Sequence, residues 1–373
     1  MFSIRDIIHI LLGLFILYIL YTSTPFYKSI TNTQEAMSLN LMGMLESKPV
    51  YQNPYLETLK IHEKERRHPY RYFHDENDQM LPIVAICGFF RDDKERVDMY
   101  NEYIKNDIKI IGATMYKTFP KPINDKTGDS NTANDPFDYY NNITDWMCCF
   151  DNPTEYGFDY RHNLIDMSES DWYDVEELPP TIEKKYDMIY ICLKDNDSCP
   201  EDGWNAINRN FDLAQKCFPI IINDFNMKML VVGRVGCGLE KLYGDKIKVV
   251  DFLPFHEFQE KIRESRLLFV PNVYDASPRV ISESIIKNVP VIMNKNIVCG
   301  SKYINDETGE FFTNEYNIRD ALEKMLSKID KINPADWWGK NYSRKSSAIK
   351  LRNFLYKSFP DYLEKSKEIY FYL

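Results

Sequence analysis

Two carboxylates, Asp275 and Glu283, stand in the stretch of this sequence best suited to chemistry, FVPNVYDASPRVISESIIKNVPVIMN at residues 269–294. An apolar run, expected as a buried strand, ends at Pro271. A loop then reaches Ser277, an expected N-cap, with Pro278 at the first helical position, where its missing N–H costs nothing. A helix start offers unpaired amides and partial positive charge, which suits a diphosphate. In an open parallel sheet this junction lies at the carboxyl edge of the strands, where ligands bind. Asp275 precedes the helix and Glu283 follows two turns later, so both can face one crevice. There they could accept hydrogen bonds from the hydroxyls of a sugar and a ribose. A lone Glu on a helix is more often a solvated residue, and Glu283 could simply pair with Arg279. The unbroken order of strand, loop, Ser-Pro, helix and Val-Pro-Val strand favours the functional reading.

That pattern, acid–x7–acid with the second acid in a helix leading into Asn288-Val289-Pro290-Val291, resembles the donor site of retaining glycosyltransferases. These are enzymes of the two-domain B-type fold, family 4 (glycosyl transferases group 1). KYINDETGEFF (302–312), with Thr308-Gly309 before a short apolar pair, is similar to the family's following segment. Gly233 and Gly236 after KMLVV resemble its glycine turn. The resemblance covers about residues 187–330. It implies that Asp275 and the backbone after it (Ala276, Ser277, Pro278), through the amides of Ala276 and Ser277, hold the transferred sugar, and that Glu283 holds the ribose. Asp275 and Glu283 are therefore the candidate catalytic residues. Lys194, Arg234 or Arg279 could hold the diphosphate. Three departures stand out. The first acid is Asp rather than Glu. Ala276-Ser277-Pro278 replaces Gly-Phe-Gly, which removes an amide. The family's Arg and Lys-Gly after an early strand are missing, leaving Lys194 and then Trp204-Asn205. The implied activity is retaining, metal-independent transfer from a nucleotide-sugar donor to a glycan, glycoprotein or other hydroxyl acceptor, with no cofactor.

Two rivals remain open. Asp195-x-Asp197 follows an apolar strand, as the metal-binding pair of an A-type glycosyltransferase would. A non-catalytic nucleotide-sugar-binding membrane protein would also fit the departures. No G-x-G-x-x-G opens either α/β block, which disfavours a dehydrogenase. His162 reads as an ordinary loop histidine.

The elements that must position these residues are those of an α/β chain. We expect two Rossmann-like domains of the B-type arrangement, the N-terminal one reduced, preceded by a single transmembrane helix. Strand, helix and strand in 82–114 form a βαβ unit, with further strands near 145–150 and 163–168. A second block alternates strands (186–194, 228–234, 246–252, 266–272, 289–294) with helices (205–222, 256–265, 277–287). The expected boundaries are an N-terminal tail 1–6, an anchor 7–24, a stem or linker 25–80, an acceptor domain 81–180, a donor domain 186–340 and C-terminal helices 341–373. ESDWYDVEELPPTIEKK is expected as the interdomain linker, with closure about 175–185.

IIHILLGLFILYILY at 7–21 suits an uncleaved signal anchor with N-terminus inside, hence a type II protein of a Golgi-like endomembrane; the rival is a cleaved signal peptide, disfavoured because TSTPFYKS lacks a clean small-x-small site. The wealth of Asn, Lys, Ile and Tyr suits an AT-rich genome, large viruses included. A net charge of −10 disfavours a nucleic-acid partner. With 44% hydrophobic residues there is material for real cores. The eight cysteines form no C-x-x-C pair and are expected as buried free thiols, which leaves the redox compartment open. Sequons occur at Asn142, Asn196 and Asn341.

Overall fold

The computed structural model describes residues 53–122, 135–177 and 182–371. The expected anchor at 7–24 lies outside the described residues. Among those described, no helix is long and apolar enough to cross a membrane.

Twelve strands form two sheets among the described residues. The first contains β1 (Tyr70–Asp75), β2 (Met80–Ile86), β3 (Lys109–Ala113), β4 (Asp145–Cys148), β5 (Asn163–Asp166) and, from the far end of the chain, β12 (Ile369–Phe371). Its order is β12-β1-β2-β3-β4-β5. β2 to β5 run parallel, while β1 is antiparallel to both neighbours. The second contains β6 (Tyr186–Ile191), β7 (Met229–Val232), β8 (Ile247–Val250), β9 (Ser265–Val270), β10 (Val291–Asn294) and β11 (Gly309–Phe312). It is wholly parallel, in the order β11-β10-β9-β6-β7-β8. Strands such as MLVV and VIMN are buried along their whole length, as a sheet covered on both faces requires.

Residues 53–80, expected as stem, are instead part of the first sheet's body. The first half of KIHEKERRHP belongs to the helix Leu56–Lys64, which buries Leu59 and leaves its lysines outside. YRYFHD is β1, with Tyr70, Tyr72 and Phe73 buried. Its charged residues hide an aromatic strand whose tyrosine hydroxyls find partners, as buried phenols require. The segment 341–373, expected only as helices, also returns to this sheet. The helix Arg344–Ser358 packs Leu351 and Leu355 on Phe73, Ile83 and Ala85, and β12 then pairs Phe371 with Phe73. In β3, Gly112 is required because a Cβ there would lie 2.1 Å from the Trp146 ring.

The expected helix 205–222 is broken. It comprises Trp204–Asn208 and Phe211–Pro219, and ends in a wide turn at Ile220–Asp224. Asn210 takes a left-handed φ of 49° at the break, a conformation Asn tolerates. The helix expected from Ser277 spans Arg279–Ile285, with Pro278 in the N-cap position and no side-chain cap.

The expected linker is partly structural. Ser168 and Asp171 cap the short turn Glu169–Trp172, which sits between the two sheets. Asp171, almost fully buried, accepts from Tyr303 Oη (2.6 Å) and Lys302 Nζ (2.9 Å) of the second sheet's loops. Burial alone would lower the Lys302 ammonium, but Asp171 and Asp166 hold it above its usual value. Further on, Glu176 pairs with Arg263 and with the buried Lys287 (2.6 Å).

The cysteines also depart from expectation. Cys87, Cys148, Cys149, Cys192, Cys217 and Cys299 are buried thiols, but Cys199 and Cys237 form a disulfide. It joins the loop after β6 to the loop after β7. The pairing was not visible in sequence because 38 positions separate the two cysteines.

Two measurements follow from this architecture. Leu355→Ala should destabilise the chain by about 2–5 kcal/mol in urea unfolding, because the side chain is wholly buried. Cys199→Ser should cost about 2–4 kcal/mol. The wild type in a reducing agent should lose a similar amount, whereas the variant should not respond.

Candidate active site

A cleft of about 420 Å³ opens at the carboxyl ends of β6, β7 and β9. β6 and β9 are neighbours, and connections leave them in opposite directions. The loops therefore diverge there and leave a crevice, the general ligand position in open α/β sheets. Ile191, Val232 and Leu268 give it an apolar floor, and Phe252 and Phe255, both largely exposed, stand on its rim. Gly233 turns the chain at its edge with φ 105°; a Cβ there would lie 2.6 Å from the Leu193 backbone.

Asp275 and Glu283 both line this cleft. Asp275 forms an ion pair with Arg209 and accepts a 3.0 Å hydrogen bond from Asn272 Nδ2. The broken helix puts Arg209 there, and Asn210 Nδ2 ties the break to the carbonyl of Pro271 (3.1 Å). Glu283 is buried and does not pair with Arg279. Its two oxygens accept from Tyr173 Oη (3.0 Å) and Gln259 Nε2 (3.2 Å). Burial, and then the Glu283 charge, hold the Tyr173 phenol well above its ordinary value, so it stays a donor.

Ser277, Pro278 and Arg279 line the cleft as well. Ser277 caps nothing; its Oγ lies 3.4 Å from Ser170 Oγ of the first sheet's side. Pro278 packs against Gly300. Ala276 is buried in the first sheet's core. Arg279 Nε lies 3.8 Å from Glu169 Oε2.

Three expected donor-binding residues, Lys194, Arg234 and the buried Ala276, do not reach the cleft. Arg234 is fully buried, stacked 4.0 Å over the Phe211 ring, and donates to Cys192 Sγ (3.4 Å) and the Pro200 carbonyl (3.3 Å). A guanidinium so enclosed holds loops together and cannot meet a ligand. Lys194 pairs with Asp197 at 2.8 Å and is absent from the cleft lining. Asp195, of the rival metal pair, accepts from the Asn205 amide (2.9 Å) at the start of the helix Trp204–Asn208. Among the described residues no group of three His, Cys, Asp or Glu is placed to hold a metal ion. His162 is buried and bonded to the Asp159 amide and, at 3.1 Å, to the Tyr140 carbonyl, a structural role.

Sequence reasoning missed Arg209, Asn272, Tyr173 and Gln259. The Arg-Asn pair interrupting an apolar helix was a usable signal for the first. Tyr173 and Gln259 carry none, because they reach Glu283 from 110 and 24 positions away.

No family model matches the chain, and no curated protein matches it in sequence. Among solved structures, the chain is similar to TarM at 14% identity, over 75% of this chain and 54% of TarM, with a TM-score of 0.52. It also aligns with the pneumococcal O-GlcNAc transferase GtfA in complex with UDP and GlcNAc (8% identity, 71% and 54% covered, TM-score 0.47). Sucrose-phosphate synthase from Thermosynechococcus elongatus aligns at 13% identity over 74% and 73%, with a TM-score of 0.48. The chain spans about half the length of TarM and GtfA. At such identity the likeness to TarM speaks for the fold alone: two α/β halves on largely parallel sheets, consistent with the B-type glycosyltransferase arrangement.

Proposed function

We propose that this chain is a glycosyltransferase that binds a nucleotide-sugar donor in the cleft beside β6 and β9. The observation that carries the reading is the placement of Asp275, Arg209 and Glu283 along one cleft at the point where the strand order reverses. Asp275 accepts hydroxyls of the transferred sugar and Glu283 those of the ribose. Arg209 faces the diphosphate, replacing the expected Lys194 and Arg234. Arg209 is ion-paired with Asp275, and the diphosphate would offer the same guanidinium a second anionic partner.

The reaction we infer takes its retention of configuration from the family resemblance and its groups from these positions. The acceptor oxygen bonds to the anomeric carbon while the bond from that carbon to the diphosphate breaks, its electron pair leaving with the phosphate. The acceptor proton passes to the departing phosphate oxygen, on the face that retains configuration. A guanidinium at the leaving group lowers the barrier because negative charge grows there. Transfer needs no divalent ion in this reading. A glycan or glycoprotein hydroxyl is the acceptor, and contact between the two halves excludes water. The disulfide and the exposed sequons at Asn142, Asn196 and Asn341 support an oxidising lumen, and with it the type II anchor at 7–24.

The test is a donor screen on the full chain in EDTA, reading thermal shift and slow hydrolysis over a panel of nucleotide sugars. One donor should stabilise the wild type and lose that effect in Glu283→Ala. Asp275→Asn should lower kcat/KM about 100- to 1000-fold. Binding that needs Mn would move the assignment to the metal-dependent class. Binding with no turnover would make the chain a nucleotide-sugar-binding module.

A further inference from the structure

Opposite the donor cleft, the first sheet presents charged side chains that the proposed donor chemistry does not use. Glu169 opens the short turn after β5, and only 17% of its side chain is exposed. Among the described residues, no hydrogen bond reaches its carboxylate; its one ionic neighbour is Arg279, at 3.8 Å. Arg71 lies on β1 opposite Ala85, beside the carboxyl end of β2. One of its terminal nitrogens bonds the neighbouring Tyr70 carbonyl (3.0 Å), while its Nε is buried without a partner. An unsatisfied buried polar group is costly, and an anion held between Arg71 and Arg279 would satisfy this one.

The local field is positive although the chain is acidic. Burial holds the Glu169 carboxyl above its ordinary value, against the opposing pull of Arg279 and Arg71. His68, whose ring lies against Gly88 at the end of β2, is pulled down to about 4, by burial first and then by Arg96, Arg71 and Arg91. Arg96 has Asp93 at 3.2 Å, which leaves Arg71 and Arg279 facing a single carboxylate. Tyr116, more than half exposed, adds an apolar face; Glu169, Arg71 and Arg91 all act on its hydroxyl. The cluster joins the donor cleft through Arg279, which lines it, and through the contact of Ser170 with Ser277.

We propose that Glu169, Arg71 and Arg279 form the acceptor side of the site, and that they select a hydroxyl-bearing acceptor carrying a phosphate or carboxylate. This rests on the donor reading above. Glu169 accepts the acceptor's hydroxyl, and the two guanidiniums take its anionic group, as planar donors do for phosphate and carboxylate. Arg279, which lines the donor cleft and lies 3.8 Å from Glu169, stands between the two sites.

The experiment uses the full chain in detergent, with the donor site saturated by whichever of UDP, GDP or ADP stabilises it. Glucose, glucose 6-phosphate, glucuronate and inorganic phosphate are then titrated by thermal shift. Glucose 6-phosphate, glucuronate or both should bind at least tenfold more tightly than glucose; the one that binds identifies the anion. Arg71→Ala should weaken that probe about tenfold or more, with partial recovery in Arg71→Lys. Glu169→Gln should weaken the anionic sugar but leave inorganic phosphate unchanged. Nucleoside diphosphate binding should persist in the Arg71 and Glu169 variants, so a failed acceptor site is told apart from a failed donor site. Glucose binding as well as the anionic sugars, no binding by any probe, or indifference to Arg71→Ala overturns the proposal.

Discussion

A fully parallel, doubly covered sheet has to send every connection back across its faces, and it can reverse its winding direction only between two particular strands. In this chain those strands are β6 and β9. β9 is buried along almost all its length and β6 over its central Met188–Tyr190, so neither has room for ligand-binding polar groups within the layer. Polar chemistry is thereby confined to the loops at the carboxyl edge. Leu193 to Arg209 leave β6 on one side, and Pro271 to Arg279 leave β9 on the other. The cleft is the gap this reversal forces open, and its carboxylates and guanidiniums are the residues at its lips.

The second structural dependency is the contact between the two sheets. It is not a simple hinge. Asp171 collects Ser168, Lys302 and Tyr303 in a buried network, and Phe150 and Asp151 bond the segment at Val298 and Cys299. Tyr173, just beyond the turn at Glu169–Trp172, donates to Glu283 deep in the donor half. A carboxylate assigned to the ribose is thus held by a phenol on the segment joining the halves. Positioning of the donor and contact of the halves are one interaction, which ties the stability of the interface to the geometry of the site.

Charge is distributed to match. The chain carries an excess of acid, but arginines gather where the two sheet edges face each other. Arg209 and Arg279 lie on the donor side, and Arg71, Arg91 and Arg96 on the other. An acidic exterior with an arginine-lined cleft is the charge pattern that favours a small anion in the cleft over a polyanion on the surface.

Much was legible in the sequence itself. The apolar runs of the second block, the Val-Pro-Val strand and the spacing of Asp275 and Glu283 are local patterns, because burial on both faces and helical phase are written into consecutive residues. They were enough to place both carboxylates at one strand-to-helix junction. What tertiary structure decided is everything made by residues far apart. β1 was concealed by its charges and is recognisable only once β12 pairs with it from the chain's end. Cys199 finds Cys237, and Glu283 finds Tyr173. The basic residues show the limit most clearly. Lys194, Arg209, Arg234 and Arg279 are all cations near strand or helix ends in sequence. A helix break turned Arg209 into the cleft, and the packing of Phe211 enclosed Arg234. A side chain's chemistry is local, but its direction and its access to a ligand depend on what packs against it.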